Sequence, residues 1–138
     1  MFANFDKKQL QKKFSNQACS YADAAQIQFS AAQKLCQLTK PFLQKNHRIL
    51  DLGAGTGFVA QNLAQEFELF EIDISWEMLK QKKEKSHFKI QADIENLPFA
   101  ANSFDAIISS FSMQWLTDFD KSFQQFFKIL KPSGILAF

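Results

Sequence analysis

A glycine-rich stretch constrains the fold of this chain more than any other feature of its sequence. In RILDLGAGTGFVA, residues 48–60, three glycines occupy alternate positions directly after an apolar run. Glycine tolerates backbone dihedrals that other residues avoid, and it allows another group to approach the main chain closely. Such a cluster between a strand and a helix pattern predicts a ligand loop, with an anionic group facing the first amides of the helix.

Strand and helix patterns alternate from Arg48 onward. Five segments predict strands: RILDLG, LFEIDI, HFKIQAD, FDAIISSF and, after the turn KPSG, ILAF. Strand–helix–strand units pair strands in parallel and place helices on both faces of the sheet. The third segment alternates apolar and polar residues, as an edge strand does, whereas the first and fourth are apolar enough to be buried on both faces. We therefore predict an α/β fold with an open, doubly wound parallel sheet, Rossmann-like, of order 3-2-1-4-5.

Residues 1–47 predict a helical segment that lies on this sheet. The predicted apolar face consists of Ala24, Ile27, Ala31, Leu35 and Leu38, which recur near a period of 3.6 residues. Pro41 ends the pattern. The 138 residues fit one compact unit, made of the helical segment 1–47 and the α/β domain 48–138.

Two later helices carry signals for their first turn. Ser75 can cap the helix after the second strand. Thr117 and Asp120 have the spacing of a capping box before a phenylalanine-rich helix. The apolar stripe of that helix consists of Phe119, Phe123, Phe126, Phe127 and Leu130.

Acidic and glycine residues follow the predicted strands at the edge where such sheets bind ligands. They are Asp51, Gly53, Gly55 and Gly57 at the first strand, Asp73 and Ile74 at the second, and Asp93 and Ile94 at the third; SSFSMQW follows the fourth. Asp73 is placed to accept hydrogen bonds from a ribose diol, and Asp93 could accept one from an adenine amine. The pattern predicts a nucleotide-like ligand, either NAD or S-adenosylmethionine.

The spacing of the glycines disfavours a dinucleotide. Phe58 stands where the fingerprint G-x-G-x-x-G requires its third glycine. The segments LDLGAGTG, with its following acid, and DIENLPF resemble the class I S-adenosylmethionine-dependent methyltransferases. This resemblance implies S-adenosyl-L-methionine as the cofactor. The implied cofactor-binding residues are Tyr21, Asp51, Gly53, Ala54, Gly55, Gly57, Asp73, Ile74, Asp93 and Ile94.

A closer resemblance covers residues 10–138. The spacing of Phe14, Ala18, Tyr21, Ala25 and Gln28, the block QADIENLPFAANSFD and the segment SSFSMQW are similar to the malonyl-[acyl-carrier protein] O-methyltransferase family. That family methylates the free carboxylate of a malonyl thioester on acyl-carrier protein, the first step of pimeloyl synthesis in biotin biosynthesis. By resemblance, residues 1–47 form a lid whose Tyr21 covers the cofactor, and Gln114 and Trp115 border the transfer site as positioning residues. Alternatively, Tyr21 could simply pack within the lid, and Trp115 could be only a core residue at the start of a helix.

A carboxylate acceptor is ionised at neutral pH, so the implied reaction needs no general base. The sequence agrees, because no catalytic constellation of histidine, cysteine or serine is visible. We therefore expect catalysis by positioning two reactants with water excluded.

Charge is unevenly distributed along the chain. Residues 1–48 hold eight basic side chains against two acidic ones, and residues 49–138 hold eight against twelve. The basic front suits an acidic macromolecule, and the resemblance implies acyl-carrier protein; a solvated helix pair is the alternative. We expect no nucleic-acid or membrane partner. No apolar run long enough for a membrane span exists, and the chain is expected to be cytoplasmic.

Cys19 and Cys36 predict free thiols, and His47 and His87 lack partners at metal-ligand spacing, so no metal site is expected.

Members of the resembled family continue past the fifth strand with a substrate-covering insertion and strands six and seven, which this sequence lacks. The fifth strand would then be a free edge, able to associate with another copy of the chain. Three functions remain open. They are an active carboxyl methyltransferase, a cofactor-binding fragment or interaction protein with weak or no turnover, and a methyltransferase for another small acceptor such as a quinone precursor or a polycarboxylic acid.

Overall fold

The computed structural model describes residues 6–24, 26–81 and 88–138, with side chains for all of these except residues 17–24. The helices are α1 (Lys7–Ala24), α2 (Gln26–Thr39), α3 (Phe58–Leu63), α4 (Trp76–Lys80) and α5 (Phe119–Ile129). The strands are β1 (Arg48–Leu52), β2 (Glu68–Asp73), β3 (Phe88–Gln91), β4 (Phe104–Ile108) and β5 (Leu130–Ala137). Short 3₁₀ turns lie at Lys40–Phe42 and Met113–Trp115.

The five strands form one parallel sheet in the order β3-β2-β1-β4-β5, which confirms the predicted topology. In the central strand, Leu50 lies opposite Phe70 of β2 and Ile107 of β4. The order reverses between β1 and β4. A crevice therefore opens where the loops after these two strands diverge, at the carboxyl edge of the sheet.

Alternate residues of the central strands fill two cores, one on each face of the sheet. Ile49 packs with Ala32 and Cys36 of α2. Leu50 packs on the other face with Phe126 of α5. All of these residues are buried. Burial on both faces explains why β1 and β4 are so apolar in sequence.

The predicted apolar face of α2 is correct at Leu35, which packs against the core, but wrong at Ile27 and Leu38. Ile27 is 77% exposed and Leu38 is 59% exposed, whereas Ala32 and Thr39 are buried. Small residues let α2 lie close to the body of the protein. Thr39 is tolerated there because its Oγ1 donates to the Leu35 carbonyl at 2.8 Å.

The predicted capping box of α5 is also wrong. Asp118 caps this helix, and its Oδ1 accepts a hydrogen bond from the Lys121 amide at 3.0 Å. Thr117 is engaged elsewhere, because its amide and hydroxyl both donate to Glu95. A tertiary contact thus shifts the cap by one residue.

The sequence predicts a turn at residues 131–134, but these residues lie within β5. Ser133 has a φ of 64°, and the pairing with β4 jumps from Leu130 to Ile135. The extra residues bulge out of the ladder, and the strand then resumes on the same partner.

Residues outside the ligand region add little chemistry. Cys36 is a free, buried thiol, and burial together with the nearby Asp51 raises its pKa to about 12. Within the described ranges, no helix could span a membrane and no three potential metal ligands cluster. His87 and the side chain of Cys19 lie outside the described residues.

Candidate functional site

The glycine loop, residues 53–57, connects β1 to α3 with a left-handed backbone at each glycine. The φ angles are 68° at Gly53, 53° at Gly55 and 93° at Gly57, which is also the N-cap of α3. The loop is fastened to β2, because the Ala54 amide donates to the Ile72 carbonyl at 2.9 Å. Few other residues adopt such dihedrals at low cost, so the sequence of the loop follows from its backbone.

Gly53 is required by the protein's own packing. A Cβ at this position would lie 2.4 Å from the Cβ of Ser112, in the loop after β4. Ser112 and Ser109 both donate from Oγ to the Leu52 carbonyl, at 2.7 and 3.1 Å. The serines therefore tie the β4 loop to the end of β1, and Gly53 makes room for this contact. The sequence attributes all three glycines to a ligand, and at Gly53 the packing of a neighbouring loop adds a second reason for glycine.

Asp73, at the end of β2, organises the loop from the other side. Its Oδ2 accepts from the Gly55 amide at 2.9 Å, and its Oδ1 accepts from the Ser75 amide at 2.8 Å. Ser75 caps α4 as predicted, by accepting from the Met78 amide. An ionised carboxylate has about four acceptor positions, so this one group can hold both the glycine loop and the start of α4.

Asp93 and Glu95, after β3, are held by a lysine from α1. The Lys7 Nζ lies 2.6 Å from Asp93 Oδ2 and also contacts Glu95 Oε2. Asp93 Oδ1 accepts from the Glu95 amide at 3.0 Å. Burial alone would lower the pKa of Lys7, but the two carboxylates raise it above its usual value. The sequence assigns Lys7 only to the basic front; its role in this ion pair depends on tertiary docking.

Glu95 fastens the start of α5 to the loop after β3. Its Oε1 accepts from the amides of Thr117 and Asp118, at 2.7 and 2.8 Å. Burial would raise the pKa of this carboxyl, but Lys7 and the donors before α5 outweigh burial and lower it to about 2. Glu95 is missing from the sequence-based site, although it stands in the segment DIENLPF.

Two adjoining pockets open at this edge of the sheet. The larger encloses about 630 Å³, including space open to solvent, and the smaller about 330 Å³. Predicted residues lining the larger pocket are Gly53, Gly55, Asp73, Ile74, Asp93, Ile94 and Trp115. Predicted residues lining the smaller are Asp51, Gly53, Ala54 and Gly55. From α1, Leu10 and Phe14 cover the larger pocket, and Phe14 packs edge-on against Trp115 with ring centroids 5.7 Å apart.

Two predicted residues are placed differently, and a third has a side chain outside the described residues. Gly57 serves the start of α3 and does not line either described pocket. Gln114 is exposed, and its Nε2 donates to the Phe111 carbonyl at 2.8 Å. The side chain of Tyr21 lies outside the described residues, so its position over the cofactor stays a prediction.

The residues of the two pockets fit an adenosyl compound that carries an amino acid. Asp73 and Asp93 offer carboxylate acceptors beside the apolar Ile74 and Ile94 in the larger pocket. In the smaller pocket, the Oγ1 of Thr56 is buried without a hydrogen-bond partner among the described atoms. A buried hydroxyl of this kind is satisfied when a polar ligand binds. The combined space is typical of small-molecule sites.

The chain spans only part of the length of its curated relatives. A biotin biosynthesis bifunctional protein BioHC of Saccharophagus degradans is 36% identical over 143 residues, covering 99% of this chain and 25% of that protein. A malonyl-[acyl-carrier protein] O-methyltransferase of Gallionella capsiferriformans is 30% identical over 147 residues, covering 96% of this chain and 51% of that protein.

Structure and family comparisons agree with these similarities. A crystal structure of a SAM-dependent methyltransferase of Thermotoga maritima superimposes with a TM-score of 0.68 at 22% identity, over 89% of this chain and 57% of that one. The family model described as Methyltransferase domain matches residues 50–138. The chain therefore belongs to the methyltransferase domain family, and the cofactor of its site is S-adenosyl-L-methionine.

Proposed function

We propose that the protein transfers a methyl group from S-adenosyl-L-methionine to the free carboxylate of a malonyl thioester on acyl-carrier protein, in the first step of pimeloyl synthesis for biotin. The observation that carries this proposal is the similarity, over nearly the whole chain, to proteins named for that reaction or for biotin biosynthesis. The two-pocket crevice supports it, because it offers a cofactor site and, beside it, an apolar surface against which an acceptor could lie.

Different residues of the crevice would bind different parts of the cofactor. Asp73 would accept from the ribose hydroxyls, while Ile74 and Ile94 would lie against the adenine ring. Asp93 would accept from the adenine amine, sharing its carboxylate with Lys7. Asp51, Ala54 and the buried hydroxyl of Thr56 would hold the amino-acid end. When bound, the cofactor supplies a methyl group on a positively charged sulfur.

The site suits an acceptor that needs no deprotonation. A malonyl carboxylate is ionised at neutral pH, so the protein has only to orient it and exclude water. Positioning of this kind can contribute about 7–11 kcal/mol. Leu10, Phe14 and Trp115 provide an apolar wall for the purpose. The described histidine, His47, lies at the opposite edge of the sheet, where its Nε2 is 3.9 Å from Asp105 Oδ1. It is therefore not placed to act on the acceptor.

A methyl-transfer assay tests the proposal. Purified protein is incubated with S-adenosyl-L-methionine and malonyl-acyl-carrier protein, and the methyl ester is measured by intact-protein mass spectrometry. We expect the ester on malonyl carrier but none on acetyl carrier, which lacks the free carboxylate. Asp73→Asn, checked for folding by thermal denaturation, is expected to lose at least about tenfold in rate. One of the two acceptor oxygens of the carboxylate becomes an NH2 donor, which cannot accept a hydrogen bond.

The outcome separates the proposed reaction from its alternatives. Cofactor binding by calorimetry without any ester would refute carboxyl methylation and favour a binding protein. Methylation of a quinone precursor or a polycarboxylic acid in place of the malonyl carrier would refute the acceptor and keep the class of reaction.

A further inference from the structure

Phe111 lies where the two pockets of the crevice meet. The residues that line both pockets are Gly53, Gly55, Ser110 and Phe111. Of these, Phe111 has the only large side chain, and it is 48% exposed. Its ring is therefore available at the boundary to whatever spans both pockets.

The backbone of Phe111 is held in a conformation that phenylalanine ordinarily avoids. Its φ is 59°, in the left-handed region. The Gln114 side chain donates to its carbonyl at 2.8 Å, and the next residue, Ser112, is fastened to the Leu52 carbonyl. A half-exposed ring recovers little burial energy for this strain. Strained residues of this kind cluster at ligand sites, where the surrounding contacts enforce them.

The cofactor assigned to the site must place its charge near this boundary. Its adenosyl part matches the carboxylates and isoleucines of the larger pocket, and its amino-acid part matches the smaller pocket with the buried Thr56 hydroxyl. The sulfonium joins these two parts, so in a cofactor bound this way it would lie where the pockets join. The face of an aromatic ring attracts a cation within about 6 Å of its centroid.

We infer that Phe111 is a cofactor-positioning residue whose ring contacts the sulfonium and favours the charged methyl donor over its neutral product. The inference rests on cofactor binding, one part of the proposed function, and is independent of the acceptor. Other aromatic residues of the crevice each line one pocket and pair with a neighbouring ring. Trp115 packs against Phe14, and Phe58 packs against Phe29 at 5.6 Å.

Calorimetric titrations with S-adenosylmethionine and S-adenosylhomocysteine test this role, because the two ligands differ in the sulfonium charge and its methyl group. The readout is the ratio of the two dissociation constants. Phe111→Leu keeps an apolar side chain and removes the ring, and we expect it to weaken S-adenosylmethionine by about threefold to tenfold relative to S-adenosylhomocysteine. Phe111→Tyr keeps the ring and should keep the ratio. Phe14→Leu removes a ring from the larger pocket alone and should also leave the ratio unchanged.

Each outcome decides the matter. A Phe111→Leu variant with an unchanged ratio, whether both affinities fall together or neither does, would overturn the inference. So would a Phe14→Leu variant that shifts the ratio equally. Wild-type protein that binds neither ligand would overturn the cofactor assignment and this inference with it. A shifted ratio in a protein that fails to methylate malonyl carrier would support the role of Phe111 and refute only the proposed acceptor.

Discussion

Gly53 and Gly55 share a left-handed backbone, but different surroundings oppose a side chain at each. A Cβ on Gly53 would meet the Ser112 Cβ at 2.4 Å. A Cβ on Gly55 would find its nearest neighbour, the Met78 Cε, at an ordinary 3.7 Å. Any L-residue in this conformation costs about 1–2 kcal/mol. The clash at Gly53 adds about 1–3 kcal/mol, because Ser112 is buried and bonded to the end of β1.

We therefore expect Gly53→Ala to lower the free energy of unfolding by about 2–5 kcal/mol, and Gly55→Ala by about 1–2 kcal/mol, in urea denaturation. Adding Ser112→Gly to Gly53→Ala should recover part of the loss, since it removes the Cβ that clashes. Equal losses in the two alanine variants would contradict this account. The sequence alone cannot rank the two glycines, because Ser112 reaches the loop only through the fold.

Glu95 links three elements, since it follows β3, accepts from the amides before α5 and contacts Lys7 of α1. Hydrogen bonds to a charged acceptor contribute about 1.5–3 kcal/mol each when buried. We expect Glu95→Gln to lower the free energy of unfolding at neutral pH by about 1.5–3 kcal/mol in total. The glutamine amide accepts hydrogen bonds less strongly than the carboxylate and cannot form an ion pair with Lys7. Urea denaturation at a series of pH values measures the loss.

The pH dependence follows from the pKa of Glu95, which is about 2 in the folded protein against an ordinary value of 4.5. A carboxyl whose pKa is lower in the folded protein than in the unfolded chain stabilises the fold at pH values above its unfolded pKa. The advantage over Glu95→Gln should therefore be complete above about pH 5 and disappear as the pH falls toward 2. Glu77→Gln is the matched control, because Glu77 pairs with Lys80 on an exposed helix surface and should change stability by less than about 0.5 kcal/mol. A control variant that loses as much as Glu95→Gln would refute the linking role.

The elements were predictable to different degrees. Ser75 caps α4 as its position after β2 suggests, because the cap needs only local contacts. The cap of α5 and the face of α2 depend on partners distant in sequence. Glu95 engages Thr117 and leaves Asp118 to cap the helix. Small residues, rather than the longer Ile27, face the core from α2 because the helix packs closely.

At the scale of the whole molecule, the strand order was predictable because central and edge strands differ in pattern. The apolar β1 lies at the centre of the sheet and the alternating β3 at its edge. The contacts that dock α1 were not predictable, since this helix is largely polar and is held through specific groups. Lys7 reaches Asp93, and the Ser15 hydroxyl lies 2.9 Å from that of Ser75. The ligand site predicted from the strand ends is therefore covered by a helix whose contacts could not be predicted from the sequence.

The docking of α1 sharpens the partner hypothesis, because it divides the basic front into two sets of lysines. Lys7 is engaged inside the crevice, whereas Lys8 and Lys12 are exposed one helical turn apart and free to face an acidic carrier protein. Reversing both charges, Lys8→Glu with Lys12→Glu, should weaken the affinity for malonyl-acyl-carrier protein roughly fivefold at low salt and much less at high salt, measured by calorimetry. The matched control is Lys121→Glu with Lys128→Glu, which makes the same change in net charge on the exposed surface of α5. If both pairs weaken the carrier equally, net charge rather than a face on α1 attracts it, and if neither does, the basic front is only a solvated helix surface.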